Sequence, residues 1–338
     1  MMHRGHGWRQ RLGWLLAASS AGCALRTPRA WDTAGPQADA LEQLWWLFFG
    51  VTCVVYVLVL LTLGVAMLRR REPEVGPAAG TSTRVAAVVA VAAAVTLMTL
   101  IGLLVASTMA GGRVVAFTAA DPITIAVRGH QWWWDVEYDD PVPSQRVRTA
   151  NEIHIPVGRA IRLKLTSTDV MHSFWVPQLH GKKDLIPGYA TEFWLQADRA
   201  GVFEGQCAEF CGHQHARMAL TVVAHPQAEF DAWVAAQRTA GSLPAEGEAL
   251  RGQAVFQEKG CALCHAVRGT AAGGRLGPDL THLASRERIA GATYPNRRGF
   301  LAAWISDPQH MKPGARMPPT LMTSDDMHAL VAYLEGLR

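Results

Sequence analysis

Charge is scarce in this sequence. Asp, Glu, Lys and Arg make up 18% of its 338 residues, against 49% hydrophobic ones. Two runs, 43–68 and 85–112, hold no charged residue at all. The net charge of +4 is small, and many of the arginines lie near the N-terminus or beside an apolar run, so no nucleic-acid partner is expected. Cysteine is also sparse. Each of the six can be given a local role, which excludes a disulfide framework as the main support of the fold. A chain of this length with so little charge reads as membrane segments joined to two or three folded units.

Residues 1–22 read as a signal peptide: Arg4, Arg9 and Arg11 precede an apolar core too short to span a bilayer. Small residues before Cys23 suit a lipoprotein cleavage site, with Cys23 acylated, although Ser20 stands where Leu is usual; an ordinary signal with a free Cys23 is the alternative. Residues 23–40 are a polar linker, and 41–112 a transmembrane hairpin with spans at about 43–68 and 85–110. Trp45 and Trp46 suit an interfacial belt, and Arg69-Arg-Arg71 marks the cytoplasmic side. Both ends of the chain then lie outside, in the periplasm. The second span is rich in Ala and Val, which favours close packing against other protein. Cys53 fills apolar space in the first span.

Residues 113–225 alternate as short β-strands, at Ile123-Thr-Ile-Ala-Val, Ile153-His-Ile-Pro-Val, Ile161-Arg-Leu-Lys-Leu, Thr191-Glu-Phe-Trp-Leu and Ala219-Leu-Thr-Val-Val, the pattern of a sandwich or barrel. Before the last strand comes Cys207-Ala-Glu-Phe-Cys211-Gly-His-Gln-His215-Ala-Arg-Met218. Thiolate, imidazole and thioether form a donor set that suits copper, and two thiols exceed what one copper needs. If Cys207 and Cys211 each bridge two ions, His215 and Met218 add two more bonds, and two donors are still wanted. His172, in Asp169-Val-Met-His172-Ser-Phe at a strand end, is the candidate for one, and the backbone carbonyl of Glu209 for the other. A disulfide or a zinc site is the competing reading of the cysteines, although structural zinc does not use Met. His213 has the wrong spacing.

Residues 226–247 read as a connector, with Phe230, Trp233 and Val234 at helical spacing before a flexible Gly241-Ser-Leu-Pro-Ala-Glu-Gly. Residues 248–338 hold Cys261-Ala-Leu-Cys264-His265, the attachment signature of a c-type haem: two thiols for the vinyl groups and an adjacent His for the iron. A Met is the usual opposite ligand. Met317, in Arg-Met317-Pro-Pro before a final helix, is preferred over its nearest rival Met311, and Met327 reads as core. Asp231, His282 and His310 receive no role, the first two being read as surface or capping residues.

The Cys-x-Glu-x-Cys-Gly-x-x-His-x-x-Met loop with its upstream Asp-Val-x-His-Ser-Phe resembles the binuclear copper centre, CuA, of subunit II of haem-copper oxidases. The C-terminal part resembles a cytochrome c, including Leu276-Gly-Pro278, whose Pro packs on the axial His in that family. The resemblance implies a two-helix membrane hairpin, an all-β cupredoxin-like Greek-key domain and an all-α cytochrome c domain. It makes His172, Cys207, Glu209 (through its carbonyl), Cys211, His215 and Met218 the ligands of two copper ions. It makes Trp132, and on the same strand face Trp134, in His130-Gln-Trp132-Trp-Trp134, the residues that admit electrons. The Glu209 side chain would help hold a magnesium ion at an interface with subunit I, near Lys182-Lys-Asp184. The family's Glu at the start of the second span is missing: Thr81-Ser-Thr-Arg-Val-Ala-Ala has no acid, so no residue is assigned to proton uptake.

The expected function is an electron-transfer subunit of a bacterial respiratory oxidase in the inner membrane. Electrons would pass from one covalent haem c to CuA and on to subunit I, where oxygen is reduced. Subunit I, subunit III and a soluble cytochrome c or upstream cytochrome complex are the expected partners. The alternatives are a CuA subunit of a nitric oxide reductase, or a membrane-anchored electron-transfer module with no fixed oxidase partner.

Overall fold

The structure is a computed structural model that describes residues 28–69, 83–242, 244 and 246–338. The expected signal peptide, Cys23, Arg70 and Arg71 of the arginine cluster, and the turn with Glu72, Glu74 and Thr81 lie outside the described residues.

Helices α1 (Pro36–Leu68) and α2 (Thr83–Val115) are each 33 residues long and apolar enough to cross a membrane. Their large side chains, such as Leu60 and Ile101, are exposed, as suits surfaces facing lipid or other protein. α1 begins within the stretch expected to be linker, because Pro36 sits at its first turn, where a missing N–H costs nothing. Trp31, Trp45, Trp46 and Phe49 cluster at its head, with Trp31 and Trp45 ring centroids 4.2 Å apart.

Next come β1 (Ile123–His130), β2 (Trp133–Tyr138), β3 (Val147–Ala150), β4 (Glu152–Pro156), β5 (Ile161–Ser167), β6 (His172–Trp175), β7 (Lys183–Leu185), β8 (Thr191–Leu195), β9 (Gly201–Cys207) and β10 (Ala219–His225). They form two five-stranded sheets, ordered β3-β2-β1-β5-β8 and β4-β10-β9-β6-β7. β1–β5 and β4–β10 are parallel pairs and the others run antiparallel. Burial alternates along β1, β5 and β10, as period-two side chains require when one face of a sheet meets another. Ile125, Val127, Leu163 and Leu165 face Ile155, Phe174, Phe203 and Val222 in one core. Each such side chain contributes about 1.5–3 kcal/mol by leaving water.

The stretch expected to be a connector does more than connect. Its helix α3 (Gln227–Arg238) buries Phe230 in the sandwich core and stacks Trp233 on His154, with centroids 4.2 Å apart. The glycine linker is also pinned at one point. A Cβ on Gly241 would meet the Thr281 carbonyl oxygen at 2.8 Å.

The C-terminal unit is mainly helical, with α4 (Gly247–Glu258), α5 (Arg298–Ser306), the short α6 (Pro308–Met311) and α7 (Ser324–Gly336). Val255 and Phe256 of α4 pack on Leu330 and Tyr333 of α7 in a second core. Thr323 caps α7 by accepting the Asp326 N–H. β11 (Arg288–Ile289) and β12 (Tyr294–Pro295) make a small hairpin within this unit. His282 is buried here rather than on the surface, just before a 3-10 turn. Met327 packs on the core as expected.

Candidate metal centre and haem site

β9 ends at Cys207, and the chain then loops back to β10 at Ala219. The Cys207 N–H donates to the Met218 carbonyl (2.9 Å), which closes the loop at its base. Within it the Cys207 and Cys211 sulfurs lie 3.8 Å apart. A disulfide would bring them to about 2 Å, so these are two free thiols. His215 Nδ1 is 3.6 Å and Met218 Sδ 3.9 Å from the Cys211 sulfur. The Glu209 carbonyl oxygen lies 3.2 Å from the Cys207 sulfur. His172 opens β6 and places Nδ1 3.8 Å from the same sulfur. The donor atoms of His172, Cys207 and Cys211 fall within 4.8 Å of one another, and all three residues are buried. His213 is exposed and stays outside the cluster.

The surroundings fix these donors. Asp169 Oδ1 accepts the His172 Nε2–H (2.9 Å), so that nitrogen carries the proton and Nδ1 is left with its lone pair toward the thiols. Asp169 also accepts the backbone N–H of Gln131 and of Val170, each at 2.8 Å. Burial raises the Asp169 pKa, but these hydrogen bonds outweigh it and hold the carboxyl at about 2. A hydrogen bond from Cys211 lowers the pKa of Cys207, and the same pairing pushes that of Cys211 up. Gly129 gives His172 its place, since a Cβ there would stand 2.6 Å from the imidazole Cδ2. The donors so arranged suit copper, being soft, convergent and largely shielded from water.

Trp132 and Trp134 do not share a face. Trp132 lies in the turn between β1 and β2, half-buried, and its indole N–H donates to the Cys211 carbonyl (2.9 Å) beside the Gln131 amide (2.8 Å). Trp134 is wholly buried in β2, with its ring centroid 6.0 Å from that of His172. The alternation assumed for a continuous strand breaks at the turn. Trp134 is therefore shut off from solvent, whereas Trp132 is partly exposed. Lys182 reaches Glu209 (3.3 Å) and Asp184 (3.6 Å), so a cation already sits between these carboxylates.

In the helical unit Cys261 opens a 3-10 turn, and Cys264 and His265 follow at once. His265 Nδ1 donates to the Pro278 carbonyl (2.8 Å), which leaves Nε2 unprotonated. Burial, against that hydrogen bond, lowers the His265 pKa and keeps the ring neutral, the form that can bind iron. Gly277 allows the ring to lie against the backbone: a Cβ there would be 2.6 Å from Cε1. Met317 is half-buried against the core of this unit, in a loop braced by Gln309, which donates to its carbonyl (3.3 Å). The Met311 carbonyl instead accepts from Tyr294 (2.7 Å) and Arg217 (2.8 Å).

Asp169, Gln131, Gly129 and Gly277 were not given roles from the sequence. Asp169 stood in the motif that placed His172, and its position three residues before that histidine was the one available signal.

The chain thus joins two apolar helices, a two-sheet cupredoxin-like domain with clustered thiols and imidazoles, and a helical domain with a haem-attachment motif. Residues 142–225 match the family "Cytochrome C oxidase subunit II, periplasmic domain", and residues 249–338 match "Cytochrome c". Cytochrome c oxidase subunit 2 of Alkalihalophilus pseudofirmus is 43% identical over 217 residues, covering 64% of this chain and 61% of the relative. That of Bacillus sp. strain PS3 is 36% identical over 228 residues, covering 64% and 62%. The chain thus spans less than two thirds of the length of these relatives. The crystal structure of the periplasmic domain of subunit II of cytochrome oxidase from Bradyrhizobium japonicum is 31% identical, covering 36% of this chain and 97% of that one, with a TM-score of 0.34. Residues 142–225 thus match the family of the cytochrome c oxidase subunit II periplasmic domain and residues 249–338 that of cytochrome c, within one polypeptide.

Proposed function

We propose that this chain is the electron-transfer subunit of a bacterial haem-copper oxidase, passing electrons from its own haem c to a binuclear copper centre and on to subunit I, where oxygen is reduced to water. The observation that carries the reading is the convergence of Cys207, Cys211, His172, His215, Met218 and the Glu209 carbonyl at one end of the sandwich, in a chain that also holds Cys261-Ala-Leu-Cys264-His265. His172, Cys207, Glu209, Cys211, His215 and Met218 would hold two copper ions. Cys261 and Cys264 would bind the haem covalently, with His265 and Met317 on its iron. Bound copper and haem supply one-electron chemistry.

The polypeptide's part is to keep the donors still. Asp169 orients His172, Trp132 and Gln131 hold the Cys211 carbonyl, and Pro278 orients His265. Ligands that move little on a change of charge favour rapid transfer. Trp132 is the residue through which electrons reach the copper loop, since its indole bonds directly to a ligand residue. The Glu209 carboxylate, with Lys182 and Asp184, faces outward and would take part in a magnesium site against subunit I. The two apolar helices would anchor the chain in the inner membrane with both redox domains in the periplasm. Subunits I and III would pack on the helices, and a soluble cytochrome c or an upstream cytochrome complex would feed the haem. The copper domain expected at 113–225 is extended to Arg238 by α3, and the haem domain keeps the limits 248–338.

The test is oxygen uptake by the complex purified through a tag on this chain, with a reduced small-molecule donor. Cyanide-sensitive uptake that is lost in Cys207→Ser supports the reading. Nitric oxide consumption without oxygen uptake, or neither activity with haem and copper bound and no partner retained, refutes it.

A further inference from the structure

Lys312 is a buried lysine to which none of the foregoing gives a purpose. It follows α6 in the haem domain and is 2% exposed. Its ammonium donates to three backbone carbonyls: Trp132 (3.1 Å), Arg217 (2.9 Å) and Ala290 (3.0 Å). The first two belong to the copper domain and the third to the haem domain. Burial, then the nearby Arg217 guanidinium, pull its pKa down to about 7. Three acceptors match the three N–H bonds of an ammonium, and that match holds the charged form against the pull.

The surroundings are shaped to receive it. Ala290, Gly291 and Ala292 all have positive φ (54°, 70° and 56°), a conformation that non-glycine residues rarely adopt. This turn, the tip of the β11–β12 hairpin, aims the Ala290 carbonyl at Lys312 and the Gly291 carbonyl across the boundary, where it accepts the Ala219 N–H (3.1 Å). A Cβ on Gly291 would lie 2.6 Å from the Trp132 oxygen and 2.8 Å from Lys312 Nζ, so only glycine leaves room. Further contacts ring the same spot. Gln214 donates to the Pro313 carbonyl (2.9 Å), and Arg316 reaches Gln131 (3.2 Å) and Asp169 (3.3 Å). A Cβ on Gly314 would come within 3.3 Å of the Trp132 ring.

We infer that Lys312 is a positioning residue that locks the haem domain onto the Trp132 turn of the copper domain. Transfer between the two centres then occurs in one fixed geometry, and Trp132 is closed to outside donors. The inference rests on the electron-transfer reading proposed above. A flexible tether alone would give an effective concentration on the order of mM; a lock replaces that search with a standing contact. Outside electrons must then come in through the haem domain.

The experiment compares the full chain, loaded with haem and copper, as wild type and Lys312→Met, which keeps the side-chain length and removes the donors. Two quantities are read: hydrogen exchange at the Ala219 amide, and the rate at which an electron placed on the haem by a flash-activated dye equilibrates with copper. Loss of a buried charged donor to three carbonyls shifts a docked equilibrium by at least about tenfold. Exchange at Ala219 is therefore expected to quicken by that factor, and equilibration to slow in proportion to the fall in the docked fraction, with haem and copper absorption unchanged. Unchanged exchange overturns the lock, and faster exchange with an unchanged rate overturns its role in transfer. Should Lys312→Met fail to fold, Arg316→Ala on the exposed rim is expected to move both quantities the same way by a smaller factor, and no change in either overturns the inference. Absence of any haem-to-copper transfer in the wild type defeats the electron-transfer reading and the positioning role with it, while the exchange measurement still reports on the domain contact.

Discussion

Replacing Asp169 by Asn tests how the copper loop is held. The carboxylate accepts three short hydrogen bonds, from His172 Nε2 (2.9 Å) and from the backbone N–H of Gln131 and Val170 (each 2.8 Å). An Asn keeps one oxygen and turns an NH2 group toward the other partners. If the oxygen stays on the Gln131 amide, at the place of Oδ2, the NH2 takes the place of Oδ1 and faces both the Val170 N–H and His172 Nε2, which must then give up its proton. The proton moves to Nδ1, the nitrogen 3.8 Å from the Cys207 sulfur. The variant thus occupies with a proton the lone pair a metal would need. A hydrogen bond to a charged acceptor is worth about 1.5–3 kcal/mol, so the metal-free copper domain is expected to lose about 2 kcal/mol of unfolding free energy at neutral pH. Loss of a partner that orients a ligating histidine costs about 10–100-fold in metal affinity. Denaturant unfolding of the metal-free full chain and competitive copper titration read the two effects, and nitrogen-resolved NMR of His172 reads the tautomer. Wild-type copper affinity in Asp169→Asn, with the His172 proton still on Nε2, would refute the reasoning.

Three further outcomes follow from the geometry. Burial, first of all, holds the His180 pKa down at about 4 beside Phe193, against 6.5 when free. The unfolded chain then binds more protons between those values, so the stability this residue contributes is present above pH 6.5 and is lost as pH falls toward 4, by about 1–3 kcal/mol. Denaturation midpoints measured across that window should fall less in His180→Phe than in the wild type; parallel curves would contradict this. Met218→Leu keeps the volume of a fully buried side chain, so folding should change by less than about 1.5 kcal/mol while the copper potential and optical spectrum shift; an unchanged potential would count against Met218 as a ligand. Gly277→Ala puts a Cβ 2.6 Å from His265 Cε1 and should displace the ring, costing about 1–3 kcal/mol and reducing covalent haem incorporation as read by the pyridine haemochrome spectrum; full incorporation would show that the loop can yield.

What could be read from the chain alone was whatever is covalently local. Cys207, Cys211, His215 and Met218 lie within one loop, and Cys261, Cys264 and His265 within one turn, so the backbone itself limits how far apart their donor atoms can be. The two apolar helices followed from the length of the runs without charge, and the alternating strands from periodicity, because side-chain direction repeats with the backbone. Folding decided what depends on residues far apart in sequence. Trp132 and Trp134 look equivalent on an unbroken strand, yet a turn leaves Trp132 on the copper loop and buries Trp134 in the core. Helix α3 looked like a connector until Phe230 and Trp233 were seen packed on the sandwich. Lys312 carried no signal at all, since its partners are backbone carbonyls, which every residue has; only the fold brings it to Trp132, 180 positions away. Ligand types are chosen by side-chain chemistry, which the sequence spells out, while their orientation and the contact between domains come from packing, which it does not.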